Sequence, residues 1–366
     1  MRLGFVLLLV LHGLIHLLGV AKAFGLAALP QLTRPIPPAR GLLWLAAALA
    51  CLGAAAAVYA APRWWWAVGL AAVALSTVAI AGSWIDARAG AVVNVIVAAV
   101  AVVAMAIDGP WGYRAEYERD TQAVLARPRQ TLPLTDADLA PLPPPVQRYL
   151  RVSGAVGQPR VWSMRARMRG RIRGAADARW MPLRAEQVNV FDQPARLFYM
   201  TATMFGVPAD GYHRFADGAA TMRVKAAGLV PVQRSAGAEM TQAETVTLFN
   251  DMCVMAPATL IDPAIRWEAV DDRRARATFA HAGHTIRAEL DFNDAGELVD
   301  FRSDDRRRSE GDGRTMTAVR WSTPLRDYRQ FGAARLMGRG EARWHDPAGE
   351  FAYIEFEMED VRYNVP

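Results

Sequence analysis

Hydrophobic and polar positions change rhythm twice along this chain. Up to residue 107 there are four long apolar runs, about 3–22, 41–61, 65–85 and 90–107, separated by short polar connections. Each comes close to the ~20 residues a helix needs to cross a ~30 Å hydrocarbon layer, so four transmembrane helices are predicted. A secretory signal peptide is the rival reading of the first run, but His12, His16 and Gly19 interrupt it and no small-residue cleavage pattern follows. Pro30, Pro35, Pro37 and Pro38 mark 26–40 as an extramembrane loop. Small residues fill the later runs, Gly53 to Ala57, Gly69, Ala71, Ala72, Gly90, Ala98 and Ala99. They permit close backbone approach where lipid gives no hydrophobic drive, which predicts a compact bundle.

Residues 108–145 carry Pro110, Pro128, Pro133, Pro141 and Pro143 to Pro145 with no sustained apolar period, and predict a linker. PPPVQRYLRVSG then reads as a short helix burying Val146, Tyr149 and Leu150, opened by proline and stopped by Gly154. After it the period becomes two. In VWSMRARMRGRIRG, Trp162, Met164, Ala166, Met168 and Ile172 alternate with Ser163, Arg165, Arg167, Arg169, Arg171 and Arg173, which predicts a strand with one dry face. HTIRAELDF repeats this, NDAG at 293–296 supplies a turn, and 284–303 is predicted as a hairpin preceded by a strand at ARATF. FAYIEFEMEDVRY alternates too, slipping at Ile354 and Glu355 as a β-bulge would.

One helix interrupts the strands. Thr241 and Glu244 look like a capping box, and Val246, Phe249, Met252 and Cys253 recur at helical spacing until Pro257. The predicted fold is therefore a four-helix transmembrane bundle (1–107), a Pro-rich linker (108–145), and a soluble α+β domain (146–366). That domain is a large curved antiparallel sheet, half-barrel-like, packed on one or two helices.

Charge sharpens this division. Of 42 basic and 36 acidic residues, six and two fall up to Asp108, leaving 36 against 34 beyond it. A nearly neutral domain on an apolar anchor argues against nucleic-acid binding. With the amino terminus outside, the inner loops hold Lys22, Arg34, Arg40 and Arg88 and the outer side Arg2 and Arg63, which predicts an extracytoplasmic soluble domain. Trp64, Trp65 and Trp66 beside Arg63, with Trp84, fit an interfacial belt.

Candidate chemistry is sparse. His12 and His16 share one helical face, and Asn94 and Asp86 could reach the same bundle interior. Their bland reading is a hydrogen-bonded register clamp; metal or haem ligation or a proton path is the alternative. Cys51 and Cys253 fall in different domains and build neither a disulfide nor a Cys-based metal site, and His281 with His284 are too few for zinc, so no metal and no cofactor is predicted. No nucleophile elbow, phosphate loop, HExxH or Rossmann glycine pattern occurs, and no catalytic residue is assigned. The Arg165 to Arg173 stripe reads as a solvated face paired with acidic neighbours, and 302–314 as a polar hairpin tip.

The HGLIHLLG run, SWIDARAGAVVN at 83–94, PPPVQRYL, APATLIDPAIRWEAVDD and FAYIEFEMEDVRYN together resemble an uncharacterised bacterial family joining a multi-span membrane region to a β domain of unknown function. More loosely, the soluble part is similar to lipoprotein-carrier and lipoprotein-localisation domains. That resemblance implies a curved sheet around a helix and an apolar cavity. The expectation is a protein of the bacterial inner membrane whose extracytoplasmic domain binds a lipid or other apolar molecule. Trp162, Met164, Met168, Phe198, Met200, Met204 and Phe205 are its candidate inner face. An intramembrane haem, metal or redox protein using His12 and His16, and an envelope lipid-modifying enzyme, are the alternatives.

Overall fold

The computed structural model describes residues 2–365 except 127, 128, 130, 205 and 311–314. The chain forms two compact units, Met1–Ala115 and Glu116–Pro366. In the first, α1 (Arg2–Ala23) packs on α2 (Pro38–Ala60), α2 on α3 (Trp65–Ala81), and α3 on α5 (Gly90–Asp108), with the single turn α4 (Trp84–Ala87) between the last two. Small side chains fill the seams: Ala47, Ala48, Ala54, Ala72 and Ala101 are buried. Gly19 is needed for one close approach, since a Cβ there would sit 2.2 Å from the Trp44 ring.

Three stretches, Arg2–Ala23, Pro38–Ala60 and Gly90–Leu125, are long and apolar enough to cross a membrane. The third predicted run is shorter than expected, because α3 has 17 residues and stops at Gly82 and Ser83. Both are poor helix formers. The next turn is held instead by Asp86, whose carboxylate accepts the backbone N–H groups of Thr33 and Arg34 and the Thr33 hydroxyl. Asp86 therefore fastens the proline-rich loop and takes no part in the bundle interior, contrary to the sequence reading.

The linker reading also needs correction. Residues Tyr113–Leu125 form α6, followed by α7 (Asp136–Leu139) and α8 (Pro144–Val152). In α6 the buried residues Tyr113, Tyr117, Thr121 and Leu125 recur every four positions, a stripe too thin in apolar residues to register as a period. Tyr117 stacks on Tyr199, and Asp120 accepts the Tyr212 hydroxyl at 2.7 Å, so α6 lies on the sheet. The predicted α8 forms as expected, with Val146, Tyr149 and Leu150 buried and Gly154 at φ 75° ending it.

The sheet begins with a six-strand meander: β1 (Ser163–Ile172), β2 (Met181–Val190), β3 (Ala195–Met204), β4 (Val207–Ala216), β5 (Ala219–Ala226) and β6 (Val230–Ala236). Helix α9 (Ala238–Met255) intervenes. Then come β7 (Ile265–Asp271), β8 (Arg274–His281), β9 (His284–Phe292) and β10 (Leu298–Ser303). Short strands follow: β11 (Arg307–Ser309), β12 (Met316–Ala318), β13 (Arg320–Ser322), β14 (Leu325–Arg326), β15 (Arg329–Phe331) and β16 (Ala334–Leu336). The chain closes with β17 (Arg339–Asp346) and β18 (Gly349–Tyr363).

Fourteen strands make one open antiparallel sheet in the order β6-β5-β4-β3-β2-β1-β18-β17-β13-β10-β9-β8-β7, with β14 on β17. The β9–β10 hairpin is the one expected at 284–303, with Asn293 and Gly296 shaping its turn. On β18 the pairing with β17 skips Tyr353, one residue from the predicted bulge, and the pairing with β1 skips Glu359. The arginine stripe pairs across to β18, Arg167 with Asp360, Arg169 with Glu357 and Arg171 with Glu355, as a solvated face should. Strands β11 and β12 flank the predicted polar tip, of which 311–314 lie outside the described residues.

The core of this unit gathers around α9. From Met240 to Met255 the helix is buried on nearly every side. It packs against β5 and β6 near one end of the sheet and against β9 and β10 near the other. Enclosure on this scale takes Glu244, Asn250 and Asp251 inside as well, and each must find its partners within the unit. Its start differs from the sequence reading: it begins at Ala238 after Gly237, which has φ 93°. Thr241 lies inside the first turn, its hydroxyl bonded to the Gly237 carbonyl, and is not the cap.

Candidate functional site

Register builds a cavity wall directly. Across β2 to β5, Gln187 pairs Phe198, Phe198 pairs His213 and His213 pairs Met222, so one row of side chains on one face runs over four strands. The next row adds Met200. Met168 of β1 and Met240, Glu244, Asp251 and Val254 of α9 complete this side, and Trp321, Trp344, Tyr353 and Arg306 form the other. They enclose about 300 Å³, at the small end of the ~300–1,000 Å³ range of ligand pockets.

The polar end of this cavity is a charge network. Glu244 and Asp251, seven residues apart, lie on one face of α9. Arg196 of β3 reaches both, Nη1 to Glu244 Oε2 at 2.8 Å and Nε to Asp251 Oδ2 at 2.6 Å. Asp251 also accepts Gln187 Nε2 at 2.6 Å and Asn189 Nδ2 at 3.1 Å. Arg306 lies 3.6 Å from Glu244 Oε1, with its guanidinium 5.5 Å and 5.8 Å from the Trp321 and Trp344 ring centroids.

Burial acts on all these groups in the same sense, against charge. It would push the Glu244 carboxyl up, but Arg196, His213 and Arg306 reverse this and hold it below the usual range. For Asp251 burial prevails over Arg196 and the two amides, and its affinity for a proton rises. Burial also lowers His213 despite Glu244 at 3.6 Å. Two polar atoms remain without a hydrogen-bond partner, Glu244 Oε1 and Arg306 Nε, and both residues line the cavity.

The predicted inner-face residues divide. Met168, Phe198 and Met200 line the cavity. Met164 and Trp162 are buried outside it, Met164 in the main core. Met204 is 46% exposed at the β3–β4 tip, and Phe205 lies outside the described residues. Asp251, Arg196 and Arg306 were not singled out by sequence reasoning, and Glu244 was read only as half of a helix cap. The seven-residue spacing of Glu244 and Asp251, which puts them on one helical face, was the signal available.

Of the four polar candidates in the helical unit, three meet. His12 Nε2 lies 3.0 Å from Asn94 Oδ1 and 3.1 Å from Ser76 Oγ, and His16 Nε2 lies 2.8 Å from the same Ser76 Oγ. Asn94 Nδ2 donates to Thr77 Oγ1 at 3.0 Å. Cys51, set aside in the sequence because Cys253 is its only possible cysteine partner, is buried next to both histidines.

No curated protein matches the chain. Among solved structures, an outer membrane lipoprotein-sorting protein domain from Vibrio parahaemolyticus is 10% identical, covering 55% of this chain and 85% of its own, with TM-score 0.31. A LolA superfamily protein from Nitrosomonas europaea is 11% identical, covering 60% and 94%, with TM-score 0.31. These are proteins of the kind named by the looser resemblance. The profile of a family of unknown function, DUF6544, matches residues 133–356, and the chain belongs to that family.

Proposed function

We propose that this protein is a multi-pass component of the bacterial inner membrane whose water-soluble domain, on the extracytoplasmic side, binds a lipid or related amphiphile in the cavity beside α9. The observation that carries this reading is a cavity lined by methionines and aromatic rings that also holds buried charged groups with unused hydrogen-bonding capacity. Apolar chains suit the methionines and rings; a polar head suits the charged groups. Methionine suits such a wall because its flexible, polarisable side chain adapts to ligand shape.

Membrane insertion is supported by α1, where Leu3, Leu7, Leu11, Leu14 and Leu18, on one helical face, are all at least 40% exposed. A face like that is stable only against hydrocarbon or another apolar surface. In this reading α3, with 17 residues, is the fourth span, at the lower limit of about 17 residues that can cross. Both chain ends then lie outside, in keeping with the loop arginines and lysine. The sheet bends as a half-barrel about α9, which its two end regions both touch.

The test is native mass spectrometry of the full chain purified in detergent, with extraction of any retained lipid. Wild type should carry an amphiphile, and Met200→Trp and Met222→Trp, which fill the cavity from its wall, should lower its occupancy at least tenfold. A wild-type protein that retains none and binds none from added lipid would overturn the reading.

A further inference from the structure

His12, His16 and Cys51 lie side by side in the helical unit, next to Ser76 and Asn94. One ring nitrogen of each histidine and Cys51 Sγ all lie within 4.8 Å of one another, and the three residues are at most 4% exposed. Helix geometry puts both imidazoles on one face, one turn apart, with ring centroids 4.7 Å from each other. Gly13 lets α2 come close: a Cβ there would be 3.2 Å from Cys51 Cβ.

Proton accounting shows what the cluster lacks. Asn94 Oδ1 can only accept, and it takes the Ser76 hydroxyl proton at 2.9 Å and the His12 Nε2–H. With its proton committed, Ser76 Oγ accepts the Nε2–H of His16. A neutral imidazole has one N–H, so Nδ1 of each histidine is a bare lone pair. His16 Nδ1 is buried with no hydrogen-bond partner. A buried lone pair without a donor costs free energy, and a cation would relieve it.

We propose that His12, His16 and Cys51 bind one Cu(I) ion, independently of the lipid reading above. Donors about 2.0–2.3 Å from a metal are at most ~4.5 Å apart, so the present spacing closes with a small side-chain adjustment. Thiolate and imidazole together suit copper. Charge selects the monovalent ion: Cu(I) replaces the thiol proton, which is released to bulk solvent, and forms a neutral N₂S complex, whereas Zn(II) would leave a net positive charge in the apolar interior. The two carboxylates up to residue 108, Asp86 and Asp108, do not join the cluster.

The full chain, purified metal-free in detergent, would be titrated anaerobically with Cu(I) against a chromogenic Cu(I) chelator. One equivalent should bind, with ultraviolet thiolate-to-copper absorption. Cys51→Ser, nearly the same size, should weaken binding at least 100-fold and abolish that band; His16→Gln should weaken it at least tenfold. Cys253→Ser, the other buried thiol, should change neither. Helical circular dichroism checks that each variant is folded, and the two ligand variants back each other if one is not. No uptake by wild type, uptake equal in wild type and Cys51→Ser, or preferential retention of Zn(II) over Cu(I) would each overturn the assignment.

Discussion

The two units keep polar groups inside by opposite means. In the helical unit the buried polar side chains are His12, His16, Ser76, Ser83 and Asn94, none of which needs to carry charge, and among the described residues no Asp, Glu, Lys or Arg there is buried. In the sheet unit Arg196, Glu244, Asp251 and Arg306 are buried as charged or readily charged groups. The difference follows from what fixes the partners. Strand register holds Arg196 opposite Asn189 and aims it at α9, so it meets Glu244 and Asp251 at 2.8 and 2.6 Å. Helices packed through alanines offer no such ladder between them, and a neutral cluster that slips loses hydrogen bonds without stranding an ion.

The most severe way to break this contrast is Arg196→Met, which strands two carboxylates in the core. It should cost about 3–5 kcal/mol of unfolding free energy in chemical denaturation, and adding Glu244→Gln with Asp251→Asn should restore most of it. Failure of the triple variant to recover would mean that the arginine acts through packing alone.

Asp300 is an intermediate case, a carboxylate whose Oδ1 has no partner and whose pKa burial pushes up to about 6, Asp291 adding to the effect. Its folded form holds a proton that the unfolded chain has already released between about pH 4 and pH 6, so this residue's contribution falls as pH rises through that window and is fully unfavourable above it. Asp300→Asn should therefore stabilise by up to about 3 kcal/mol at pH 8 and by nothing below pH 4. An equal gain at both pH values would show that charge is not the cause.

The mildest test lies in the bundle, where Asn94→Ala removes one neutral hydrogen-bonding partner and should cost about 1 kcal/mol in a reversible unfolding assay in detergent. A loss as large as that of Arg196→Met would erase the distinction between the units.

What could be read from the residues in order tracks whether the cause is local. Alternation around Met164 and Met168, the 284–303 hairpin and the proline-led helix in PPPVQRYLRVSG are each decided within about twenty consecutive positions, and all formed as predicted. Helix α6 was taken for linker because its buried stripe includes two tyrosines and a threonine, and the role of Tyr117 is settled only by Tyr199 and Tyr212 on distant strands. Glu244 was read as half of a helix cap; only the pairing with Arg196, 48 residues earlier, reveals it as a buried ion. Cys51 was discounted on cysteine pairing rules, which say nothing about a neighbouring helix that supplies imidazoles. Met204 fits the apolar alternation yet ends at a hairpin tip, since periodicity assigns a face and not a depth.

Strand β1 hydrogen-bonds β18, with Met164 opposite Tyr363. The meander β1–β6 is synthesised before β18, so the β1 flank stays bare until β18 is available. Completion of the sheet therefore waits for β18, and a truncation that removes it should leave a polypeptide that seeks its missing partner in other molecules.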